Sequence, residues 1–269
     1  ADVHDLTDRL KLLGRLNDNM VGTAVFTEGL DTNPFAFDLF TEMAWRRRPV
    51  NLASWTADYV TRRYGAADPH ALAAWKILIH TAYGIRVNQV VFNSERDAAQ
   101  ESLFDAQPGL TVDRASTWSP EGMRYSALVF RRALPQMLQA SPAIRAAATY
   151  RYDLVDIARQ TLANESRVLL PRIAAAYRAK DRARFEARTQ CWLGLMSLQD
   201  RLLASNRHFL LGRWLARARS WASSPAELAR LDFDARSILT VWGDRQASAG
   251  AGLHDYANRD WAGLTGGYY

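Results

Sequence analysis

Lysine and cysteine are nearly missing from this chain. Three of its 269 residues are lysine, and one, Cys191, is cysteine. A single cysteine excludes a disulfide bond within the chain and any zinc cluster built from cysteine thiolates. Because Cys191 lies in an apolar helical run, we expect it to be a small buried side chain rather than a nucleophile.

With so little lysine, arginine carries the positive charge, and the formal net charge is +6. Together with abundant alanine this composition is typical of a GC-rich genome, and we take the source to be bacterial. The arginines alternate with acidic residues along the predicted helices, and the one run, Arg46 to Arg48, follows a helix whose C-terminus favours cations. No nucleic-acid partner is expected, and an arginine-rich RNA-binding protein is the least favoured of the alternatives.

Glycine and proline are also scarce, with 15 and 9 residues. An all-β protein with many tight turns needs more of both, so the composition favours a mainly α fold. Hydrophobic residues make up 48 %, which is enough for a sizeable core and argues against disorder. No apolar run approaches the roughly 20 residues that span a bilayer, so no membrane partner is expected.

The N-terminus has neither an initiating methionine nor a basic-plus-apolar leader. We therefore expect a fragment or a processed product. The predicted location is periplasmic or secreted, with any signal on a missing N-terminal part.

Motifs for metals and common cofactors are absent as well. The five histidines are scattered, and none shows the i, i+4 spacing of a metal site on a helix. There is no Gly-x-Ser-x-Gly sequence, no phosphate-binding glycine loop and no dinucleotide-binding fingerprint. These absences argue against a serine hydrolase, an ATPase and a dehydrogenase. We predict that neither a metal nor an organic cofactor is needed.

The most informative stretch that is present runs from Met20 to Trp45. A short apolar run from Met20 to Phe26 predicts a buried strand, and the carboxylate of Glu28 follows it directly, beside Gly29. In a parallel barrel, chemistry is placed at that edge of the strands. Glu28 is therefore a candidate catalytic residue; the alternative is a glutamate that caps or forms a salt bridge near a helix start.

Beyond Pro49, which marks a predicted domain boundary, apolar positions recur at helical spacing. The predicted helices cover residues 51–64, 69–84, 123–139, 182–204, 210–222 and 225–242, with a long helix that ends near Ala179. Residues 85–122 predict a long loop. Five tryptophans on helical stripes are expected in the core: Trp45, Trp55, Trp75, Trp192 and Trp214.

Three aromatic residues lie in predicted loops or at helix ends instead, namely Trp118, Trp242 and Tyr256. Such rings are candidates for a platform under a sugar, whose axial C–H groups pack on an aromatic face while an indole N–H or a phenol hydroxyl reaches a sugar oxygen. The alternative, that they pack at a domain seam, stays open.

Blocks of sequence spread over nearly the whole chain have a familiar order. They include Met20-Val21-Gly22, Thr27-Glu28-Gly29, Asn33-Pro34, Glu42-Met43-Ala44-Trp45, Arg62-Arg63-Tyr64-Gly65, Arg151-Tyr152-Asp153-Leu154-Val155-Asp156, Arg207-His208-Phe209-Leu210-Leu211-Gly212, Leu239-Thr240-Val241-Trp242-Gly243 and Asp255-Tyr256-Ala257-Asn258. In these blocks the chain resembles the α-N-acetylglucosaminidases of glycoside hydrolase family 89. Thr27 stands where the family has proline.

The resemblance implies an eight-stranded barrel followed by an all-helical domain, with the active site at their seam. It implies hydrolysis of terminal α-linked N-acetylglucosamine with retention of configuration by two glutamates. Glu28 matches the nucleophile, whereas the general acid belongs to an earlier strand and has no counterpart in this chain. Trp118, Trp242 and Tyr256 are then expected to line the sugar site.

We therefore expect residues 1–49 to be the C-terminal portion of a (β/α)8 catalytic barrel and residues 50–269 to be an all-α helical domain. The expected partners are a glycan or glycoside that ends in α-linked N-acetylglucosamine and the missing barrel portion of the same enzyme. The alternative function is a non-catalytic helical carbohydrate-binding or interaction module.

Overall fold

The computed structural model describes residues 3–4, 6–7, 22–25, 34–46, 50–85, 102–116, 119 and 122–269. The chain divides into two compact units. The first unit comprises Ala1–Ser94 and Arg124–Tyr150, and the second comprises Glu95–Met123 and Arg151–Tyr269.

Three helices of the first unit carry its core. They are α1 (Pro34–Met43), α2 (Leu52–Tyr64) and α3 (Pro69–His80), and three short helices follow later in the chain: α4 (Ala127–Phe130), α5 (Ala133–Leu138) and α6 (Pro142–Arg145).

Side-chain caps explain where two of these helices begin. Asn51 Oδ1 accepts hydrogen bonds from two backbone N–H groups of the first turn of α2, and Asp68 Oδ1 accepts one from Ala71 in α3. Helix α2 ends at Gly65, whose φ of +86° is a left-handed conformation that glycine adopts without strain. The second oxygen of Asp68 accepts the N–H of Ser141 at 2.8 Å, which joins the start of α3 to the start of α6.

The core of the first unit is built around the ring of Phe35. This residue is fully buried, and its ring contacts four others, those of Trp55, Tyr59, Trp75 and Tyr83, at centroid distances of 4.9 to 5.3 Å. The buried face of α1 therefore packs on a cluster of aromatic side chains, and this packing stabilises the position of α1 in the unit.

Longer helices make up the second unit. They are α7 (Ala148–Arg178), whose first residues through Tyr150 belong to the first unit, then α8 (Arg182–Ala204), α9 (Leu211–Arg219), α10 (Pro225–Leu239) and α11 (Arg245–Ala251), with 3₁₀ turns at Leu103–Asp105 and Arg207–Phe209.

A second hydrophobic cluster holds these helices together. Its buried members are Val155, Leu203, Phe209, Leu239, Trp261 and Leu264. Two of them, Trp261 and Leu264, come from the segment after α11, which has little regular structure. A single parallel bridge between Leu210 and Ala262 ties this C-terminal segment to the start of α9.

The predicted mainly α fold is confirmed, and the predicted bounds of α8 match the structure. Only residues 22–25 of the predicted strand are described, and they form neither helix nor strand. A parallel strand exists through hydrogen bonds to a neighbouring strand, and none is found among the described residues. The boundary between residues 1–49 and 50–269 stays a prediction.

Two predicted core residues are in fact on the surface. Cys191 is exposed on α8, and Trp45 is 88 % exposed, whereas Trp55 and Trp75 are buried as predicted. Trp45 comes after the last residue of α1, where the helical face no longer determines its direction. No helix in the described part of the chain is long and apolar enough to cross a membrane.

Candidate functional site

The four predicted site residues divide into two pairs. Glu28 and Trp118 lie outside the described residues. Trp242 and Tyr256 are described, and the structure brings them together, with ring centroids 5.2 Å apart and planes at 88°. This edge-to-face arrangement is a favourable geometry for two aromatic rings. We call these two residues the aromatic pair.

The backbone has an unusual conformation at Trp242 and at the residue before Tyr256. Among the described residues, three that are not glycine have a positive φ, and two of them are Trp242 (+63°) and Asp255 (+57°). A left-handed backbone costs an L-residue roughly 1–2 kcal/mol, although aspartate tolerates it better than most. Such conformations persist where surrounding contacts enforce them, and they concentrate at functional sites.

Hydrogen bonds enforce both conformations here. Helix α10 ends at Leu239, and the N–H of Trp242 then donates to the carbonyl of Ser237 at 2.6 Å. The N–H of Asp255 donates to the carbonyl of Thr240, also at 2.6 Å. The turn after α10 is therefore closed on the segment that carries Tyr256. Trp242 remains 41 % exposed, and Tyr256 is partly buried.

Asp255 comes directly before Tyr256 in the chain and is fully buried. Its carboxylate accepts hydrogen bonds from the hydroxyl of Tyr269 at 2.5 Å, from Nδ1 of His254 at 3.1 Å and from the backbone N–H of Gln107. Burial raises the pKa of Asp255, and the hydrogen bonds from Tyr269 and His254 oppose that rise. Burial and the negative charge of Asp255 together raise the pKa of Tyr269, so the phenol stays the donor.

A second carboxylate network lies in the same unit. Asp105, fully buried, accepts a hydrogen bond of 2.6 Å from the hydroxyl of Thr265 and shares a hydrogen bond with Asp260. Asp260 also contacts the guanidinium of Arg159 and accepts from Nε2 of Gln199 at 3.0 Å. We call these five residues the buried carboxylate network.

The two acids of this network differ in protonation. Burial, and after it the negative charge of Asp260, raises the pKa of Asp105 well above its usual value. Burial also acts on Asp260, but the guanidinium of Arg159 and the hydrogen bonds from Asp105 and Gln199 outweigh it and lower the pKa of Asp260. Asp105 is therefore the protonated partner, and Asp260 carries the charge that Arg159 balances.

The sequence pointed to Tyr256 as a candidate site residue but gave no sign of the buried carboxylate network. Asp105 lies in a stretch predicted as loop, and its partner Thr265 follows 160 positions later. The available signal was the density of polar residues in an otherwise aromatic C-terminal segment, where Asp255, Asn258 and Asp260 have to find partners if they are buried.

A mostly apolar cavity of about 400 Å³ also lies in the second unit. Its walls include Phe104 and Leu103 from the 3₁₀ turn, Leu170 from α7, Trp192 from α8 and the ring of Tyr269. Among the described residues there is no group of three or more His, Cys, Asp or Glu side chains that could hold a metal ion. The aromatic pair, partly exposed and backed by polar groups, is the described feature best suited to contact a sugar ring.

Comparison with known proteins gives one consistent result. Residues 55–269 match the family described as "Alpha-N-acetylglucosaminidase (NAGLU) C-terminal domain". The chain is 32 % identical over 258 residues to the human α-N-acetylglucosaminidase, a match that covers 94 % of this chain and 32 % of the human protein.

The fold of this chain is also similar to that of solved structures of a family 89 glycoside hydrolase from Clostridium perfringens. In the complex with 2-acetamido-1,2-dideoxynojirmycin, that enzyme superimposes with a TM-score of 0.92 at 33 % identity. The match covers all of this chain and 30 % of that one. A variant of the same enzyme, with two glutamates replaced by glutamine, superimposes in complex with its substrate GlcNAc-α-1,4-galactose.

This chain thus spans about a third of the length of the relatives it matches. The matched blocks include both members of the aromatic pair and Asp255, which lie within residues 55–269. The chain therefore belongs to the α-N-acetylglucosaminidase C-terminal domain family, a part of the enzymes of glycoside hydrolase family 89.

Proposed function

We propose that this chain acts as the C-terminal part of a retaining exo-α-N-acetylglucosaminidase. The observation that carries the proposal is the match of the whole chain, at a TM-score of 0.92, to a family 89 enzyme solved with 2-acetamido-1,2-dideoxynojirmycin. The substrate class, a glycan or glycoside that ends in α-linked N-acetylglucosamine, is inferred from the substrate complex of that same relative.

In this proposal Glu28 is the nucleophile. Retaining glycosidases place two carboxyl groups about 5–5.5 Å apart, one of which attacks the anomeric carbon while the other protonates the leaving oxygen. Glu28 has to be ionised to attack, and its partner has to hold a proton. The general acid is assigned to a barrel portion outside this chain. The two glutamates replaced in the solved relative support a mechanism with two such residues.

The helical part contributes walls of the sugar site in this proposal. Trp242 and Tyr256, together with Trp118, contact the N-acetylglucosamine ring. The exposed fraction of Trp242 and its edge-to-face contact with Tyr256 support this role, because the side chain is accessible to a ligand while the Tyr256 ring packs against it. A periplasmic or secreted location, and the absence of nucleic-acid, membrane and cofactor partners, stay predictions.

A mechanism-based fluorinated glycosyl fluoride of N-acetylglucosamine tests the proposal in the complete enzyme that contains this chain. We expect mass spectrometry to locate the covalent sugar on Glu28. The Glu28→Gln variant should lose the label and most of kcat. The matched control is Glu42→Gln, which replaces a carboxylate that accepts a hydrogen bond from Nε1 of Trp55 at 2.7 Å; this variant should keep the label.

The chain on its own should not turn over an aryl α-N-acetylglucosaminide, because one of the two carboxyl groups is missing from it. Measurable turnover by the purified 269-residue chain, or a label on a residue other than Glu28, contradicts the proposal.

A further inference from the structure

The contacts around the aromatic pair converge on one residue, Asp255. Trp242 and Asp255 both adopt left-handed backbone conformations, and the N–H of Asp255 closes the turn after α10 by donating to the carbonyl of Thr240 at 2.6 Å. A turn built on two such residues has no intrinsic preference for this shape. Something outside the local backbone has to hold it.

The carboxylate of Asp255 supplies that restraint. It is fully buried and accepts three hydrogen bonds within the second unit. The donors are the hydroxyl of Tyr269, Nδ1 of His254 and the backbone N–H of Gln107. A carboxylate with several donors in a low-dielectric interior is strongly oriented, because each hydrogen bond is charge-assisted. Its backbone is thereby fixed on both sides.

Tyr256 is the next residue along the chain, and its ring packs edge-to-face on Trp242. A rotation of the backbone at Asp255 therefore moves Tyr256 and releases the turn that carries Trp242. We propose that Asp255 is the positioning residue of the aromatic pair, through its hydrogen bond from Tyr269 and its closure of the turn at Thr240. It contacts no sugar; it determines where the two rings present their faces.

The first test follows Trp242 directly and does not need a sugar. The chain is labelled with 5-fluorotryptophan, and the ¹⁹F resonance of Trp242 is assigned by its loss in Trp242→Phe. We expect Asp255→Ala to shift or broaden that resonance and to leave those of the other tryptophans in place. Asp255→Asn, which tolerates a left-handed φ and keeps an acceptor, should restore most of the original resonance.

The matched control is Asp105→Asn, which replaces another buried aspartate whose pKa burial raises. This variant should leave the Trp242 resonance unchanged. A shift seen in Asp255→Ala is then specific to Asp255 and is not a general effect of replacing a buried aspartate. If Asp255→Ala fails to fold by circular dichroism, Tyr269→Phe removes only the phenol donor and should shift the same resonance by a smaller amount. An unmoved Trp242 resonance in Asp255→Ala, or in Tyr269→Phe when the former does not fold, overturns the proposal.

The second test rests on the proposed function and measures the affinity for methyl α-N-acetylglucosaminide by ligand-observed NMR. We expect Asp255→Ala to weaken binding about tenfold, equivalent to one lost aromatic contact, with Asp255→Asn close to the original chain. If the original chain does not bind the sugar but the Trp242 resonance still moves in Asp255→Ala, the sugar-site role fails while the positioning of the pair stands. If the sugar binds equally to the original chain and to Asp255→Ala while the Trp242 resonance moves, the sugar-site role fails in the same way; equal binding with an unmoved Trp242 resonance overturns the positioning role.

Discussion

The carboxyl groups of Asp105 and Asp260 share a hydrogen bond inside the second unit, and the guanidinium of Arg159 lies against Asp260. The pKa of Asp105 is raised by burial and by the charge of Asp260, whereas Arg159 lowers the pKa of Asp260, so Asp105 is the acid that holds a proton more readily. Because of this difference, replacing one aspartate or the other should change the free energy of unfolding by different amounts, although the two side chains are chemically identical.

Asp260→Asn should destabilise the chain, because it leaves Arg159 in a nearly buried position without its closest counter-charge. Breaking a buried ion pair on one side costs about 3–5 kcal/mol, and the neighbouring Asp156, 2.9 Å from Arg159, should keep the loss towards the lower end. Asp105→Asn should leave the stability unchanged or raise it near neutral pH, since an amide makes the same contacts without an ionisable proton. Urea unfolding of both variants measures the difference, and equal losses in the two would contradict the assignment of the proton to Asp105.

The contribution of Asp105 to the stability should fall as the pH rises above about 4. The pKa of Asp105 in the folded chain is raised above its ordinary value of 3.8, so the folded state holds a proton that the unfolded state releases. Each such proton lowers the free energy of unfolding by about 1.4 kcal/mol per pH unit over the range between the two pKa values. Asp255, whose pKa is also raised, contributes with the same sign.

Asp105→Asn should flatten that dependence without abolishing it, because Asp255 continues to titrate. The free energy of unfolding, measured at half-unit steps from pH 4 to 7, gives the two slopes. Parallel curves for the variant and the original chain would show that Asp105 takes up no proton on folding.

Phe35→Ala should be among the most damaging changes in the first unit. The side chain is fully buried and contacts four aromatic rings, and such a truncation costs about 3–5 kcal/mol through lost burial and the cavity left behind. Trp45→Ala, on a side chain that is 88 % exposed, should change the melting temperature little. Similar losses in the two variants would mean that the aromatic cluster is not what holds α1.

Cys191 should react with a thiol reagent in the native chain. It is the single cysteine, and it is exposed in the middle of α8. We expect one thiol per chain to be titrated by Ellman's reagent without denaturant. A thiol that reacts only in urea would place Cys191 in the interior, as its apolar neighbours in sequence suggested.

Much of the helical framework was predictable from the sequence, for identifiable reasons. Asn51 and Asp68 are strong N-cap residues and Gly65 is a C-cap residue, so α2 and the start of α3 were placed correctly. Phe35 and its neighbours one and two turns later point the same way on α1, and that face is the buried one.

Periodicity could not tell which apolar faces find a partner. Helix α8 was predicted with its observed bounds, yet only Gln199 and Leu203 are buried on it, and Cys191 faces outward. Nor could it pair residues far apart in the chain. Asp105 and Thr265 are 160 positions apart, and neither belongs to a motif. Such long-range polar contacts follow from how the segments pack, which local propensity does not contain.

The C-terminal segment has little regular structure, but many of its side chains bond to buried groups. These contacts determine how well the chain tolerates truncation at this end. Thr265, Asp260 and Asn258 bond to Asp105, and Tyr269 bonds to Asp255. A protease that clipped the last dozen residues would remove the hydroxyl donors of Asp105 and Asp255, which are Thr265 and Tyr269, and would open the hydrophobic cluster at Leu264. These C-terminal residues fasten the helices that precede them. A recombinant protein shortened at this end should therefore fail to form a stable helical domain.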